Sequence, residues 1–402
     1  MSKEKVLLAY SGGLDTSVIL KWLTLKGYEV VAYVANVGQN SDWDTIKEKA
    51  HKSGACEVII DDLREEFVRD FVFPAVSFNA LYEGRYYLGT SLARPVIAKG
   101  MVEAARKTGC SYFAHGATGK GNDQVRFELT AAALAPDLKV IAPWRDEEFF
   151  TVIKGRKEAI EFAAKYDIPV KATVSKPWSS DDNALHISFE AGILEDPAVC
   201  PPDDMFEYSK SPKAAPDKAE VIELEFDKGF AVKLNGEALS PYNMLMALNK
   251  LGGENGIGRV DMVESRYVGM KSRGVYETPG AAVIMAAHRD LEGLTLDGSV
   301  LNLKESLMPR FAALVYNGYW FSHEMDCLRV LLDKSQEYVT GKVKLELYKG
   351  NVTCIGRSSD YSLYNMAVAS MEDDGGAYNQ SDATGFIRLH SLPLKMHAAR
   401  KK

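Results

Sequence analysis

A continuous apolar run from Val6 to Tyr10, a break at Ser11 to Thr16 and helical spacing from Ser17 to Leu25 open the chain as strand, glycine turn and helix. The pattern then repeats. Val30 to Val34 has the unbroken apolar character of a buried strand, Thr45 to Ser53 reads as a helix, and Glu57 to Ile60 as a third strand running into Asp61 and Asp62. Helical periodicity over Arg94 to Thr108, a short strand at Tyr112 to His115, and another at Val140 to Ala142 that stops at Pro143 and Trp144 carry the alternation onward. Strands alternating with helices predict an α/β class, a parallel sheet covered on both faces. This first unit is expected to span residues 1–168.

From Pro169 the alternation fades, and Lys210 to Lys218, rich in Pro, Lys and Ala, reads as a solvated loop. The run VIELEFDKGFAVKLNG after it alternates apolar and polar residues, as a half-solvated antiparallel pair does. Further strands are expected near Val343 to Tyr348 and Val352 to Gly356, with helices near Pro241 to Leu251 and Ala281 to Leu291. These predict an α+β unit over residues 169–365. The remainder, 366–402, is expected to be an oligomerisation arm, and its final stretch sets Leu392, Leu394 and Met396 among basic residues, as a helix on another subunit or a frayed tail would.

Composition narrows the classes of function. With 402 residues, 46% hydrophobic and 26% charged, the chain is built like a folded protein of two or three domains in contact. The formal charge of -7 has no long basic run beside it except Arg400 to Lys402, which disfavours nucleic acid as the main partner. It does not argue against ATP, because local N–H groups and a few cations hold a polyanion. Five cysteines without a CxxC pair exclude a zinc ribbon or redox motif and fit reduced thiols in the cytoplasm. Neither a signal peptide nor a membrane span of roughly 18 apolar residues is expected.

The segment Ser11-Gly12-Gly13-Leu14-Asp15-Thr16-Ser17 carries the first chemistry. It follows a strand and opens a helix, where an open parallel sheet holds anions best. Adjacent glycines let the backbone turn N–H groups toward a phosphate, and three hydroxyls add neutral donors. The plainer reading is a tight turn capped by Asp15 or Thr16. The letters match neither GxxxxGK[ST] nor GxGxxG. They resemble the SGGxDS signature of the pyrophosphate-loop ATP pyrophosphatases, which cleave ATP between its α and β phosphates.

Two later segments select among such enzymes. YEGRYYLGTSLARPVIA, from Tyr82 to Ala98, reads as a partly buried aromatic loop with one arginine before a helix-starting proline. HGATGKGNDQVRFE, from His115 to Glu128, gathers flexible backbone donors, a carboxylate and a cation, which suits a zwitterionic amino acid or, more plainly, a turn-rich surface loop. Together with AYSGGLDTS, APWR, PWS followed by HIS, and GMKSRGVYETPG, they resemble the argininosuccinate synthase family over most of the chain.

That resemblance implies condensation of citrulline with aspartate by ATP, giving argininosuccinate, AMP and pyrophosphate, usually by a homotetramer in arginine biosynthesis or the urea cycle. It implies an adenine-nucleotide α-hydrolase-like first domain. Residues Ala9, Tyr10, Ser11, Gly12, Gly13, Leu14, Asp15, Thr16 and Ser17, with Ala35 and Gly116, would hold ATP. Thr118, Asn122 and Asp123 would hold aspartate. Citrulline would meet Tyr86, Ser91, Asn122 and Arg126 from the first unit and Ser179, Ser188, Glu264 and Tyr276 from the second. Asp15, Asp123 and Arg126 are the expected catalytic groups. No protein-held metal is expected, although magnesium would accompany ATP.

Taken alone, Glu264 could instead pair with Arg266 or Arg259 on a solvated face, and Tyr276 could be a packed aromatic. The base for the aspartate amine stays open among Asp123, His115 and a phosphate oxygen. A glutamine-hydrolysing ligase is disfavoured because position 2 is Ser2 and no cysteine has a glutaminase setting, and a tRNA-thiolating relative because cysteine pairs and a basic surface are absent. A non-catalytic ATP sensor would have no use for the polar segments around Asn122 and Ser188.

Overall fold

A computed structural model describes residues 3–169, 177–370 and 376–401. The first unit is a five-stranded parallel sheet of β1 (Lys5–Ala9), β2 (Glu29–Asn36), β3 (Glu57–Asp62), β4 (Tyr112–Ala114) and β5 (Lys139–Ile141), in the order β3-β2-β1-β4-β5. The chain winds outward from β1 to β3, then returns to add β4 on the other side. This order leaves a crevice at the carboxyl ends of β1 and β4, the usual ligand position in an open parallel sheet. Leu7, Val31 and Phe113 feed one interior and Leu8, Val30 and Ala114 the other, so both faces of the sheet are buried.

Helices α1 (Leu14–Leu25) and α2 (Trp43–Ser53) follow β1 and β2. α1 starts three residues before the expected Ser17, because Gly13 is its extended N-cap and Leu14 to Thr16 form its first turn. A larger correction concerns α3 (Gly89–Thr108), which encloses Pro95 instead of starting beside it. Proline usually marks a first helical turn. Here the earlier residues stay helical by packing: Gly89, Ser91 and Leu92 are buried, and a Cβ on Gly89 would lie 2.3 Å from the His186 ring. α4 (Asp123–Leu134) completes the set that shapes the crevice.

The second unit contains two antiparallel sheets. Strands β6 (Ser179–Asp182), β7 (Ile187–Glu190), β8 (Glu220–Asp227), β9 (Phe230–Leu234), β10 (Glu237–Ala238), β11 (Arg259–Ser265), β12 (Lys271–Glu277), β13 (Gly341–Tyr348) and β14 (Asn351–Ser358) form the orders β10-β9-β8-β13-β14 and β11-β12-β7-β6. The alternation from Val221 to Gly236 becomes the β8–β9 hairpin, turned at Lys228 and Gly229, both with positive φ. Its inward residues Ile222, Leu224 and Phe226 are buried with Val343, Leu345 and Leu347 of β13. Helices α5 (Pro241–Glu254), α6 (Pro279–Thr295), α7 (Gly298–Tyr316) and α8 (His323–Gln336) cover this sheet and reach the first unit. Phe78 stacks on Phe311 of α7 with ring centroids 4.7 Å apart, so one apolar interior spans both halves. Two short helices, α9 (Asp382–His390) and α10 (Leu392–Ala399), leave Phe386, Leu392, Leu394 and Met396 exposed.

A buried polar cluster lies where these parts meet. Glu292 of α6 accepts hydrogen bonds from Asn79 Nδ2 at 2.7 Å and Gln336 Nε2 at 2.9 Å and pairs with Lys304. His288 bridges Gln336 and Asn79. Glu292→Gln keeps the shape and removes the charge, stranding the Lys304 ammonium, which is 1% exposed. Breaking such a pair costs about 3–5 kcal/mol. A matching fall in unfolding free energy is the expected result, measured by urea titration.

Candidate functional site

The crevice holds two cavities that share a wall. The first, of about 420 Å³, is lined by Ala9, Tyr10, Ser11 and Thr16 from the β1–α1 turn, Ala35 and Tyr33 from β2, Gly116 and Ala117 after β4, and Arg94, Asp123, Asp181 and Asp182. At its mouth the Ser11 and Thr16 hydroxyls are 3.1 Å apart, and the extended Gly13 cap leaves the first-turn N–H groups of α1 without a side-chain acceptor. Such a helix start favours a bound anion. Gly12 has φ +75°, and Gly116 lies so close to α1 that a Cβ would sit 3.2 Å from Ile19 and Thr16. Ser17 is buried and bonds the Tyr10 hydroxyl at 2.9 Å, which fixes the turn from behind. Gly12, Gly13, Leu14 and Asp15 shape the turn without lining the cavity, and Asp15 is exposed.

The second cavity, of about 300 Å³, is lined from one side by Tyr86, Thr90, Arg94, Thr118, Asn122, Asp123 and Arg126, and from the other by Asp181, Ser188, Glu190, Glu264, Arg266 and Tyr276. Gly116, Ala117, Arg94, Asp123 and Asp181 face both cavities, so a group in one can reach a group in the other. Of the residues expected from the sequence, Ser91 and Ser179 do not line this space. Ser91 is buried in the first turn of α3, and Ser179 is exposed on β6 opposite Glu190.

Charge is arranged in a chain across the shared wall. Asp123 accepts from Arg94 Nε and Arg126 Nη1, each at 2.9 Å, while Arg94 Nη2 reaches Asp181 of β6 at 2.6 Å. Burial would raise the Asp123 carboxyl, but the two guanidinium groups hold it below the ordinary value. Arg94, Asp181, Glu190 and Arg266 were not selected from the sequence. Arg94 stood inside a quoted motif, but its pairing depends on a strand about ninety residues later in the chain, so local spacing gave no signal.

Glu264 is not on a solvated face and pairs with neither Arg266 nor Arg259. It is 7% exposed and accepts from Tyr276 at 2.8 Å and Tyr316 at 2.7 Å, whereas Arg266 pairs with Glu190 and Arg259 with Asp203. His115 is enclosed behind the loop it precedes. One ring nitrogen meets Glu128 at 2.9 Å and the other accepts from the Ala117 N–H at 3.3 Å, which braces the Gly116–Ala117 backbone.

Comparison with known proteins gives these features a lineage. Residues 5–169 match the arginosuccinate synthase N-terminal HUP domain and residues 178–397 the arginosuccinate synthase C-terminal domain. The chain belongs to the argininosuccinate synthase family. Argininosuccinate synthases of Thermotoga sp. (strain RQ2) and Thermotoga maritima are each 56% identical to it, covering 100% of this chain and 99% of theirs. That of Syntrophus aciditrophicus is 54% identical over 99% of both chains. The family makes the chain an ATP-using ligase. Among the described residues no helix is long and apolar enough to cross a membrane.

Buried histidines in this synthase-family fold give it an acid-sensitive side. Burial, together with Arg94 and Arg126, lowers His186 to about 3, and burial lowers His288 to about 4. Below the unfolded value near 6.5 the unfolded chain binds protons that the folded chain refuses, so stability falls as pH drops. The loss levels off only below the folded values. Urea titrations from pH 7 to 5 are expected to show a decline approaching about 1.4 kcal/mol per pH unit for each group.

Proposed function

We propose that this chain joins citrulline to aspartate, with ATP bound in the first cavity and the amino acids in the second. The observation that carries the reading is the shared wall, where Gly116, Ala117, Arg94 and Asp123 face both spaces. Tyr10, Ser11, Thr16, Ala35 and Gly116 border the nucleotide, and the remaining residues of Ala9 to Ser17 hold the turn whose N–H groups meet its phosphates. Thr118, Asn122 and Asp123 hold aspartate. Tyr86, Asn122, Arg126, Ser188, Glu264 and Tyr276 hold citrulline, Glu264 offering an anion for the ammonium and Arg126 donors for the carboxylate. Ser91 and Ser179 would need to turn inward on binding.

A urea carbonyl is a poor electrophile until its oxygen becomes a leaving group. The citrulline ureido oxygen therefore attacks the α-phosphorus of ATP, and pyrophosphate leaves toward the Ser11–Ser17 turn. The aspartate amine then attacks the ureido carbon of citrullyl-AMP and AMP departs. Holding the reactants in line can supply roughly 7 to 11 kcal/mol of the barrier. His115 has both nitrogens engaged and Asp123 is held as a doubly paired carboxylate, so we assign the amine proton to a phosphate oxygen.

Among the described residues no three His, Cys, Asp or Glu side chains converge on a metal cage. Magnesium is often held mainly by substrate phosphates, and we place it there, supplying charge neutralisation. We further propose residues 1–168 as the ATP-binding domain, 169–365 as the catalytic and multimerisation domain, and 366–402 as an arm that buries the exposed apolar residues of α9 and α10 in a cytoplasmic homotetramer. Of that arm, 371–375 and 402 lie outside the described residues.

Pyrophosphate release from purified protein with ATP and magnesium tests the reaction. Release that depends on citrulline, with argininosuccinate formed only when aspartate is added, is the expected result. A folded, ATP-binding sample that releases none with citrulline would return the question to other acceptors.

A further inference from the structure

Tyr316, the last residue of α7, does not line either cavity, yet it touches two of the charges that face the second one, Glu264 and Arg126. Its hydroxyl donates to Glu264 Oε1 at 2.7 Å, beside the Tyr276 hydroxyl on Oε2 at 2.8 Å, so each carboxylate oxygen is held by one phenol. Its carbonyl accepts from Arg126 Nε at 2.9 Å, and the Arg126 guanidinium lies 5.0 Å from its ring centroid. We propose that Tyr316 is a positioning residue that fixes Glu264 and Arg126 relative to each other, and with them the seat of citrulline's α-ammonium and α-carboxylate. This rests on the assignment of citrulline to that cavity.

The surroundings of Tyr316 leave it little freedom. It is fully buried, and Tyr82 stacks on its ring with centroids 3.6 Å apart and planes 3° from parallel. Two residues on, Gly318 has φ +88°, and a Cβ there would lie 2.9 Å from Arg126 Cα, so the end of α7 abuts the backbone of α4 directly. An anion for an ammonium and a cation for a carboxylate are thereby braced from one point.

Tyr316→Phe keeps the ring and removes only the hydroxyl. With saturating ATP, the KM for citrulline is expected to rise about tenfold, as for loss of one hydrogen bond to a charged group. kcat, the KM for ATP and the melting temperature should change far less. In a Glu264→Gln background the same change should add less than about twofold, because the hydroxyl acts through that carboxylate. An unchanged KM in Tyr316→Phe, or effects that multiply in the double variant, would overturn the inference while the functional reading stands. Wild-type protein without citrulline-dependent release would overturn both.

Discussion

Gly12→Val is expected to fold and to release pyrophosphate roughly 10²–10³ times more slowly, the usual loss when donors to a developing anion are misplaced. Gly12 has φ +75°, a region that a β-branched side chain resists. Its new Cβ would stand 2.9 Å from Ile46 Cγ1, so either α2 retreats or the turn shifts and re-aims its N–H groups. Strain of about 1–3 kcal/mol is affordable against a typical stability of about 5–15 kcal/mol. Circular dichroism melts beside the pyrophosphate assay separate the two effects. Normal turnover in a folded variant would remove the turn from the reaction.

Asp123→Asn is expected to lower both stability and turnover, because one carboxylate holds two guanidinium groups. The Asp123 side chain is 31% exposed, so breaking its pairs costs less than the about 3–5 kcal/mol of a fully buried pair, yet about 2.8 kcal/mol lost from the placement of Arg94 and Arg126 means a hundredfold loss of rate, at about 1.4 kcal/mol per tenfold. The pH dependence has a definite sign. A carboxyl whose folded pKa is depressed contributes stability that is present above its unfolded value, near 3.9, and lost as pH falls through the lower folded one. Wild type and variant should therefore differ at pH 7 and converge in acid. A constant gap across that range would show that Asp123 contributes by packing and not by charge.

The parallel sheet was legible because its strands are local apolar runs, and β8 and β9 because one face is buried and the other wet. The sheet β11-β12-β7-β6 was not legible. Segments such as SSDD and KSRGVYE are polar, since β6, β7, β11 and β12 spend residues lining a cavity or facing solvent. α7 and α8 were also missed. The start of α3 was misplaced because Pro95 has the letter of a helix start, whereas the packing of Gly89 on His186 decided the boundary.

By itself the sequence determined the family, the glycine turn after β1 and part of the lining of both cavities, because each is carried by short motifs whose chemistry is local. Tertiary structure alone decided the partners of charge: Arg94 with Asp123 and Asp181, and Glu264 with Tyr276 and Tyr316 instead of a neighbouring arginine. The physical reason is distance along the chain. The glycine turn after β1 is closed by hydrogen bonds a few residues apart, whereas the charge chain across the shared wall joins helices and strands that meet only when two apolar interiors have formed.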